Sequence, residues 1–291
     1  MTLTTTPLSD RFGVEVHGVD LHDVRSDNLF PDVRGTFETH SALLFRNQDL
    51  DEETHLSFGR LFGPIEDRHP EQREKGEAFR VPEVSNVAKD GGVTGEMDLH
   101  TLNLKANFLW HVDSTFLPIP ALANIITAKI VPTEGGATEL ASTRAVFADM
   151  PDAQRSLLRK TRLRHHLSHS RARISEELAR QPQFHKWPTT TWPAVWKNPA
   201  NGREAVYVAS HAFGVEGMDA DNALAFVDEL IDTCTKPPYV YRHEWRVGDV
   251  LIWDQRAVLH RGTPWPYDQP RKLASICVSA RDIDGLNTMV S

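Results

Sequence analysis

Asn107-Phe108-Leu109-Trp110-His111-Val112-Asp113-Ser114-Thr115-Phe116 carries the densest chemical signal in the 291-residue chain. Its aromatic and branched residues predict a strand, on which side chains two apart share a face, so His111 and Asp113 project together while Val112 points away. An imidazole and a carboxylate on one face begin a metal site. A second histidine from elsewhere completes the two-histidine-one-carboxylate facial triad, which leaves three iron positions open for chemistry. The histidine that fits is His260, in Val258-Leu259-His260-Arg261-Gly262.

A His-x-Asp pair alone is weak, because a chain with 14 histidines produces it by chance as a surface or hydrogen-bonded core pair. The flanks of His260 strengthen it. Gly248-Asp249 is a turn signal, followed by the apolar strand Val250-Leu251-Ile252-Trp253 that ends in polar Asp254. Beyond His260, Arg271 opens another strand reading through Ser279, on which Arg271, Leu273, Ser275 and Cys277 share one face. A mixed set of that kind suits a cavity lining.

Trp110-His111-Val112-Asp113, Gly135-Gly136-Ala137-Thr138, Trp253-Asp254 with His260-Arg261-Gly262, and Arg271 stand in an order and at spacings that resemble the iron(II)/2-oxoglutarate dioxygenases of the taurine dioxygenase group. Within it the chain looks most like the branch that cleaves 2,4-dichlorophenoxyacetate and related aryloxyalkanoates. Further collinear matches are Leu43 to Gln48, Phe62-Gly63-Pro64, Val84 to Val87, Val215 to Met218 and Tyr241 to Trp245, so the resemblance covers nearly the whole chain as a single domain, 1–291.

The resemblance implies Fe(II) held by His111, Asp113 and His260, with 2-oxoglutarate as cosubstrate and O2 as oxidant. Arg271 is at the family's position for the distal carboxylate of the cosubstrate, a task that suits the planar fork of a guanidinium. Thr138 and Trp253 belong to the same subsite. A C–H bond of a small organic substrate is then oxidised as 2-oxoglutarate is converted to succinate and CO2. Two positions depart from the pattern. Ala137 replaces the usual aspartate of the Gly-Gly motif, and Ser275 stands where many relatives carry a second arginine for the anion of their substrate. His211, which corresponds to a histidine of the aryloxyalkanoate branch, is the first candidate to serve that anion beside Ser275, with Lys105 and Arg281 as others. The alternative is a neutral or zwitterionic metabolite that undergoes desaturation or cyclisation.

Composition fits this reading. With 40% hydrophobic and 25% charged residues the chain can bury a core, and a net charge of −8 argues against nucleic-acid partners, whose phosphates call for clustered Lys and Arg. The basic runs Arg155 to Arg164 and Arg171-Ala172-Arg173 read as solvated helix faces. Only Cys234 and Cys277 are present, with no CxxC, which points away from disulfides and thiolate zinc and towards a reducing cytoplasm. No apolar run approaches membrane-spanning length. A small-molecule substrate and a homodimer or higher oligomer, common among the relatives, are the expected partners.

Along the chain, Gly13 to Leu21 suggests an early hairpin, Phe30 to Thr39 a helix, Ala42 to Phe45 a short buried strand, and Asp51 to Phe62 a helix capped by Asp51 and stopped at Gly63-Pro64. Residues 69 to 107 are polar and glycine-rich, broken by a strand at Val84 to Val87, and are expected to act in part as a lid. Ala123 to Pro132 reads as a strand and Ser142 to Leu158 as helical. Residues 165–201 hold His165, His166, His169, His185, Trp187, Trp192 and Trp196 among prolines and arginines, and are expected as a mobile insertion at the pocket mouth. After a strand at Ala205 to Val208, Leu224, Val227, Ile231 and Cys234 recur at helical spacing as a core stripe. Many short strands without regular β-α alternation predict a mainly β fold with flanking helices, a jelly roll, and the family's double-stranded β-helix agrees. Zinc hydrolysis with the same three ligands would leave Arg271 and Thr138 without a role. A non-catalytic metal-binding β-helix protein would need a broken triad.

Overall fold

Ala121–Ile130 is the longest strand, and its first eight residues are buried. A strand apolar on both faces must be covered on both. In the computed structural model, which describes residues 3–88 and 90–290, it lies between Val250–Asp254 and Lys272–Ser279, both antiparallel to it. The sheet continues to seven strands in the spatial order Thr4–Pro7, Val14–His17, Ala42–Phe45, Val250–Asp254, Ala121–Ile130, Lys272–Ser279 and Glu83–Ser85. A second sheet places Thr138–Ser142 between Val240–His243 and Val258–Gly262. One apolar cluster joins the two, with Leu44, Ile126, Leu251, Trp253 and Leu273 from the first and Leu140 and Val258 from the second.

Helices cover the outer face of the larger sheet. Glu52–Phe62 begins at Asp51, whose carboxylate accepts from the Thr54 amide at 2.7 Å and satisfies one of the orphan donors of the first turn. Phe62 on this helix stands edge to face with Phe37 of the helix Phe30–His40 at 5.2 Å, and with its own neighbour Phe58 at 5.6 Å. Each such buried ring contributes roughly 1.5–3 kcal/mol through area removed from water. Phe30–His40 ends at Ser41 in the left-handed region, φ 65°, which turns the chain directly into Ala42–Phe45.

Several sequence expectations are met: both helices, the strands Ala42–Phe45, Ala121–Ile130 and Val250–Asp254, and the short strand near Val84, found at Glu83–Ser85. Others are corrected. Residues 107–116 are not a strand. Ala106–Phe108 is a 3-10 turn, His111 makes one isolated bridge to His260, and the chain then reverses at Ser114 with φ 64°. The apolar composition there reflects burial, not extended pairing. The early hairpin is made by Thr4–Pro7 with Val14–His17, and Leu21 enters a 3-10 turn capped by Asp20. In the helix Ala220–Cys234 the buried face is Ala223, Val227, Leu230, Ile231 and Cys234, while Leu224 faces outward.

Residues 165–201, expected as a mobile insertion, contain strands paired into the fold. Thr190–Pro193 pairs with Arg162–His165, which also pairs with Ala212–Val215, and Trp192 and Trp196 are buried in the main core. Indole rings of that area anchor a segment by burial. Within 69–107 a helix, Leu99–Lys105, has Thr101 and Leu104 buried. Among the described residues no helix is long and apolar enough to cross a membrane.

Candidate active site

His111 and His260 exchange backbone hydrogen bonds, each N–H donating to the other's carbonyl at 2.9 Å, so one isolated bridge ties the His111 segment to the free edge of the strand Val258–Gly262 and fixes both histidines. Their ring centroids are 4.1 Å apart. Asp113, two residues on, faces the same point and is followed by the reversal at Ser114. His260 Nε2 lies 3.4 Å from one Asp113 carboxylate oxygen and His111 Nε2 lies 4.0 Å from the other. The three donor atoms all lie within 4.8 Å of one another, and no other such group of His, Cys, Asp or Glu occurs among the described residues.

The protonation states suit a metal. His111 Nδ1 is 2.7 Å from the Leu109 carbonyl, so the proton resides there and Nε2 presents a lone pair. Burial lowers the pKa of His111, and brings His260 down to about 3, which keeps both imidazoles neutral. Burial works against the charge of Asp113, yet its pKa falls below the usual carboxylate range; with both imidazoles neutral, the opposing pull comes from Arg68 and from the hydrogen bond that Asn124 donates. Two neutral nitrogens and a carboxylate oxygen, with the opposite side open to a cavity, fit Fe(II).

Asp113 is held by its neighbours. Gln255 Nε2 and Asn124 Nδ2 donate to one of its oxygens at 2.6 and 2.8 Å, and its own amide donates to Gln255 Oε1 at 3.0 Å. Ser275 donates to Asn124 Oδ1 at 2.8 Å, so the residue expected at the substrate belongs to the support of the metal carboxylate as well as to the cavity wall. Arg68 donates to Ser114 at 3.0 Å and lies 4.0 Å from Asp113.

The triad opens into a cavity of ≈ 660 Å³. Trp253 lines it and packs its ring 4.6 Å from that of His260. Arg271 is buried there. Its Nε and Nη2 donate to the Gly136 carbonyl at 3.1 and 2.9 Å and its guanidinium lies 4.9 Å from the Trp265 ring, but among the described residues no carboxylate balances it. Burial brings its pKa down to about 10. Thr138 also lines the cavity, and its hydroxyl accepts from the Trp245 indole at 3.0 Å, leaving its own proton to donate. An unbalanced buried guanidinium beside a free hydroxyl donor can hold a carboxylate. Gly135 and Gly136 make this seat. A Cβ on Gly136 would lie 2.9 Å from Arg271 Nε, and both glycines have positive φ.

The other anticipated residues lie elsewhere. His211 is buried outside the cavity lining, its Nδ1 2.8 Å from Ser170 Oγ and its ring 5.0 Å from Phe116. Lys105 pairs with Glu96 at 2.9 Å, and Arg281 donates to the Phe62 carbonyl at 3.1 Å. Neither lines the cavity. The residue that sequence reading missed is Arg171, taken for a solvated helix position. It lines the cavity, whereas Arg173 two residues on is paired with Asp228 at 2.9 Å on the outside. From residues 69–107 the lining takes Phe79, Val84, His100, Asn103 and Leu104 among others.

Residues 4–277 match the family model described as taurine catabolism dioxygenase TauD, TfdA family. The chain is 31% identical over 276 residues to the alpha-ketoglutarate-dependent 2,4-dichlorophenoxyacetate dioxygenase of Cupriavidus pinatubonensis, covering 94% of this chain and 96% of that one. It is likewise 31% identical to the (S)-phenoxypropionate/alpha-ketoglutarate-dioxygenase of Sphingobium herbicidovorans, with 91% of each chain covered. Among solved structures, AAD-2 in complex with Mn(II) and N-oxalylglycine superposes with a TM-score of 0.87 at 28% identity, over 96% of this chain and 98% of that one. The chain belongs to the TauD/TfdA family and is a 2-oxoglutarate-dependent dioxygenase that uses Fe(II) and O2.

Proposed function

We propose that this dioxygenase oxidises an aryloxyalkanoate-like acid at the carbon beside its ether oxygen. The observation that carries the reading is the pairing, in one cavity, of the His111–Asp113–His260 group with a cationic seat at Arg271 that no protein carboxylate balances. In this reading His111, Asp113 and His260 hold Fe(II), Arg271 and Thr138 hold the distal carboxylate of 2-oxoglutarate, and Trp253 walls the metal at His260. The bound iron supplies the oxidising power from O2 and 2-oxoglutarate, and the protein fixes which carbon faces it. One O2 oxygen enters the succinate carboxylate and the other enters the substrate as hydroxyl, with CO2 released. Hydroxylation beside the ether oxygen gives a hemiacetal, which falls apart to a phenol and an oxo acid.

The two relatives named above act on a dichlorophenoxyacetate and a phenoxypropionate, and the apolar residues Phe79, Leu104, Phe108 and Ile126 in the lining suit an aryl ring. We read the two facing sheets as a double-stranded β-helix in one domain, with residues 69–107 forming much of the cover. The two cysteines are unpaired, in keeping with a reducing cytoplasm. The test is succinate release with Fe(II) over a panel of aryloxy acids, sulfonates and amino acids, with and without oxygen. Oxygen-dependent succinate formation coupled to phenol release from an aryloxyacetate is expected. Coupled turnover only with sulfonates or amino acids would overturn the substrate.

A further inference from the structure

Five arginines line the cavity: Arg68, Arg73, Arg80, Arg171 and Arg271. Three are matched by carboxylates of the protein, Arg68 by Glu66 with Asp113 nearby, Arg73 by Asp67, and Arg80 by Glu52. Arg271 and Arg171 are not matched among the described residues. A partly buried cation without a counter-ion is costly, and in a cavity wall the missing counter-ion is naturally a ligand. The resting contacts of Arg171 are neutral. Its Nε donates to Asn103 Oδ1 at 3.2 Å and its Nη1 to Ser170 Oγ at 3.0 Å, and its guanidinium lies 5.2 Å from the Phe184 ring. The second terminal nitrogen, Nη2, has no protein partner among the described residues.

We propose that Arg171 is the anion-binding residue for the substrate, taking over the task that the serine at position 275 cannot perform. This rests on the dioxygenase reading and names the chemical class of its substrate: a small molecule with a carboxylate or sulfonate close to the oxidised carbon. Geometry separates the two unmatched cations. Arg171 shares the Ser170 hydroxyl with His211, whose ring stands 6.1 Å from that of His111, whereas Arg271 is held at the Gly136 carbonyl and the Trp265 ring. Arg171 therefore stands on the His111 side of the cavity and Arg271 on the Gly136 side. In an aryloxyacetate the carboxylate is attached directly to the carbon that is oxidised, so its counter-charge must stand near the iron. The far end of 2-oxoglutarate requires the opposite, a cation removed from the metal. His211 enters as a positioning residue: its Nδ1 holds the same Ser170 hydroxyl that receives Arg171 Nη1.

The test compares the wild-type holoenzyme with Arg171→Gln and Arg171→Lys on 4-chlorophenoxyacetate and on its neutral analogue 2-(4-chlorophenoxy)acetamide. Succinate release gives KM and kcat, and calorimetry gives anaerobic binding to the Fe(II)- and 2-oxoglutarate-loaded protein. Arg171→Gln is expected to weaken the acid about 10- to 100-fold, the effect of losing a charge-assisted hydrogen bond. The amide should change less than about threefold and KM for 2-oxoglutarate less than about twofold, with Arg171→Lys intermediate because it keeps the charge and loses the fork. Equal losses for acid and amide in a protein with native circular dichroism would make Arg171 merely structural and overturn the proposal. So would an unchanged acid, or a loss confined to 2-oxoglutarate. If the wild type turns over no aryloxy acid, the substrate reading fails separately, and calorimetry with benzenesulfonate and benzenesulfonamide still decides the anion site. A preference for the anion that is abolished in Arg171→Gln supports it, and no preference overturns it.

Discussion

Ser275 donates its hydroxyl proton to Asn124 Oδ1 at 2.8 Å across two neighbouring strands, although the ladder sets Ser275 opposite Ile126 and Asn124 opposite Cys277. This diagonal bond fixes which end of the Asn124 amide faces the metal carboxylate. With Oδ1 engaged, Nδ2 is left to donate to Asp113 at 2.8 Å. Partners of metal ligands typically contribute about 10- to 100-fold to metal affinity. Because Gln255 donates to the same oxygen at 2.6 Å, Asn124→Ala is expected at the low end, near ~10-fold weaker Fe(II) binding, and Ser275→Ala smaller still. Anaerobic iron titration reads both, and an unchanged iron affinity in Asn124→Ala would remove Asn124 from the metal site.

The cosubstrate seat predicts a dissociation of metal from 2-oxoglutarate binding. Arg271→Ala removes the guanidinium, and Gly136→Ala places a Cβ 2.9 Å from Arg271 Nε while forcing an L side chain into φ 68°. Losing a charge-assisted hydrogen bond costs about 1.5–3 kcal/mol, so KM for 2-oxoglutarate should rise about 10- to 100-fold in either variant. Iron content should stay within about twofold of wild type, since none of the ligands His111, Asp113 and His260 touches Arg271. Metal analysis alongside steady-state kinetics separates the outcomes, and parallel loss of iron and 2-oxoglutarate in Arg271→Ala would count against the assigned division of labour.

The metal triad was legible in the sequence for a chemical reason, while its geometry was not. His111, Asp113 and His260 are residue types that suit iron, but the backbone bridge that brings His111 to His260 and the reversal that follows Asp113 at Ser114 are not announced by strand periodicity. Helix caps such as Asp51 are local and were readable. Arg171 was misjudged because its neighbours Ser168, Ser170 and Arg173 are polar, and its position depends on Asn103 and Phe184, which only the tertiary fold brings to it. The same holds for Ser275, whose role is set by a cross-strand diagonal. Trp192 and Trp196 were signs of burial within 165–201, but the surrounding prolines and histidines pointed the other way.

Gln255 lies between Asp254 and Arg256, two members of a buried ionic network. Asp254, fully buried, accepts from Arg256 at 2.8 Å and Arg144 at 3.1 Å, and Arg256 reaches on to Glu38 at 2.6 Å. Removing one member leaves buried charge unbalanced, typically about 3–5 kcal/mol. Asp254→Ala should lose that order of stability in urea denaturation and, by loosening the next residue Gln255, also weaken iron binding. Asp254→Ala with wild-type stability would show that the arginines find other partners.

The last prediction concerns acid. His55 is buried against Ala121–Ile130, its Nε2 2.9 Å from the Ile125 carbonyl, and burial lowers its pKa from 6.5 to about 4. Between those values the unfolded chain binds a proton that the folded protein refuses, so stability rises with pH across the window. It is complete above pH 6.5 and declines as pH falls towards 4. A shift of that size corresponds to about 3 kcal/mol as an upper figure. His55→Gln retains an N–H to donate to Ile125 and cannot titrate. In metal-free protein, where iron ligation does not enter, the stability difference between His55→Gln and wild type should move in favour of the variant as pH falls from 6.5 to 4. A difference that stays flat over that range would mean that the folded protein admits the proton at His55 without penalty.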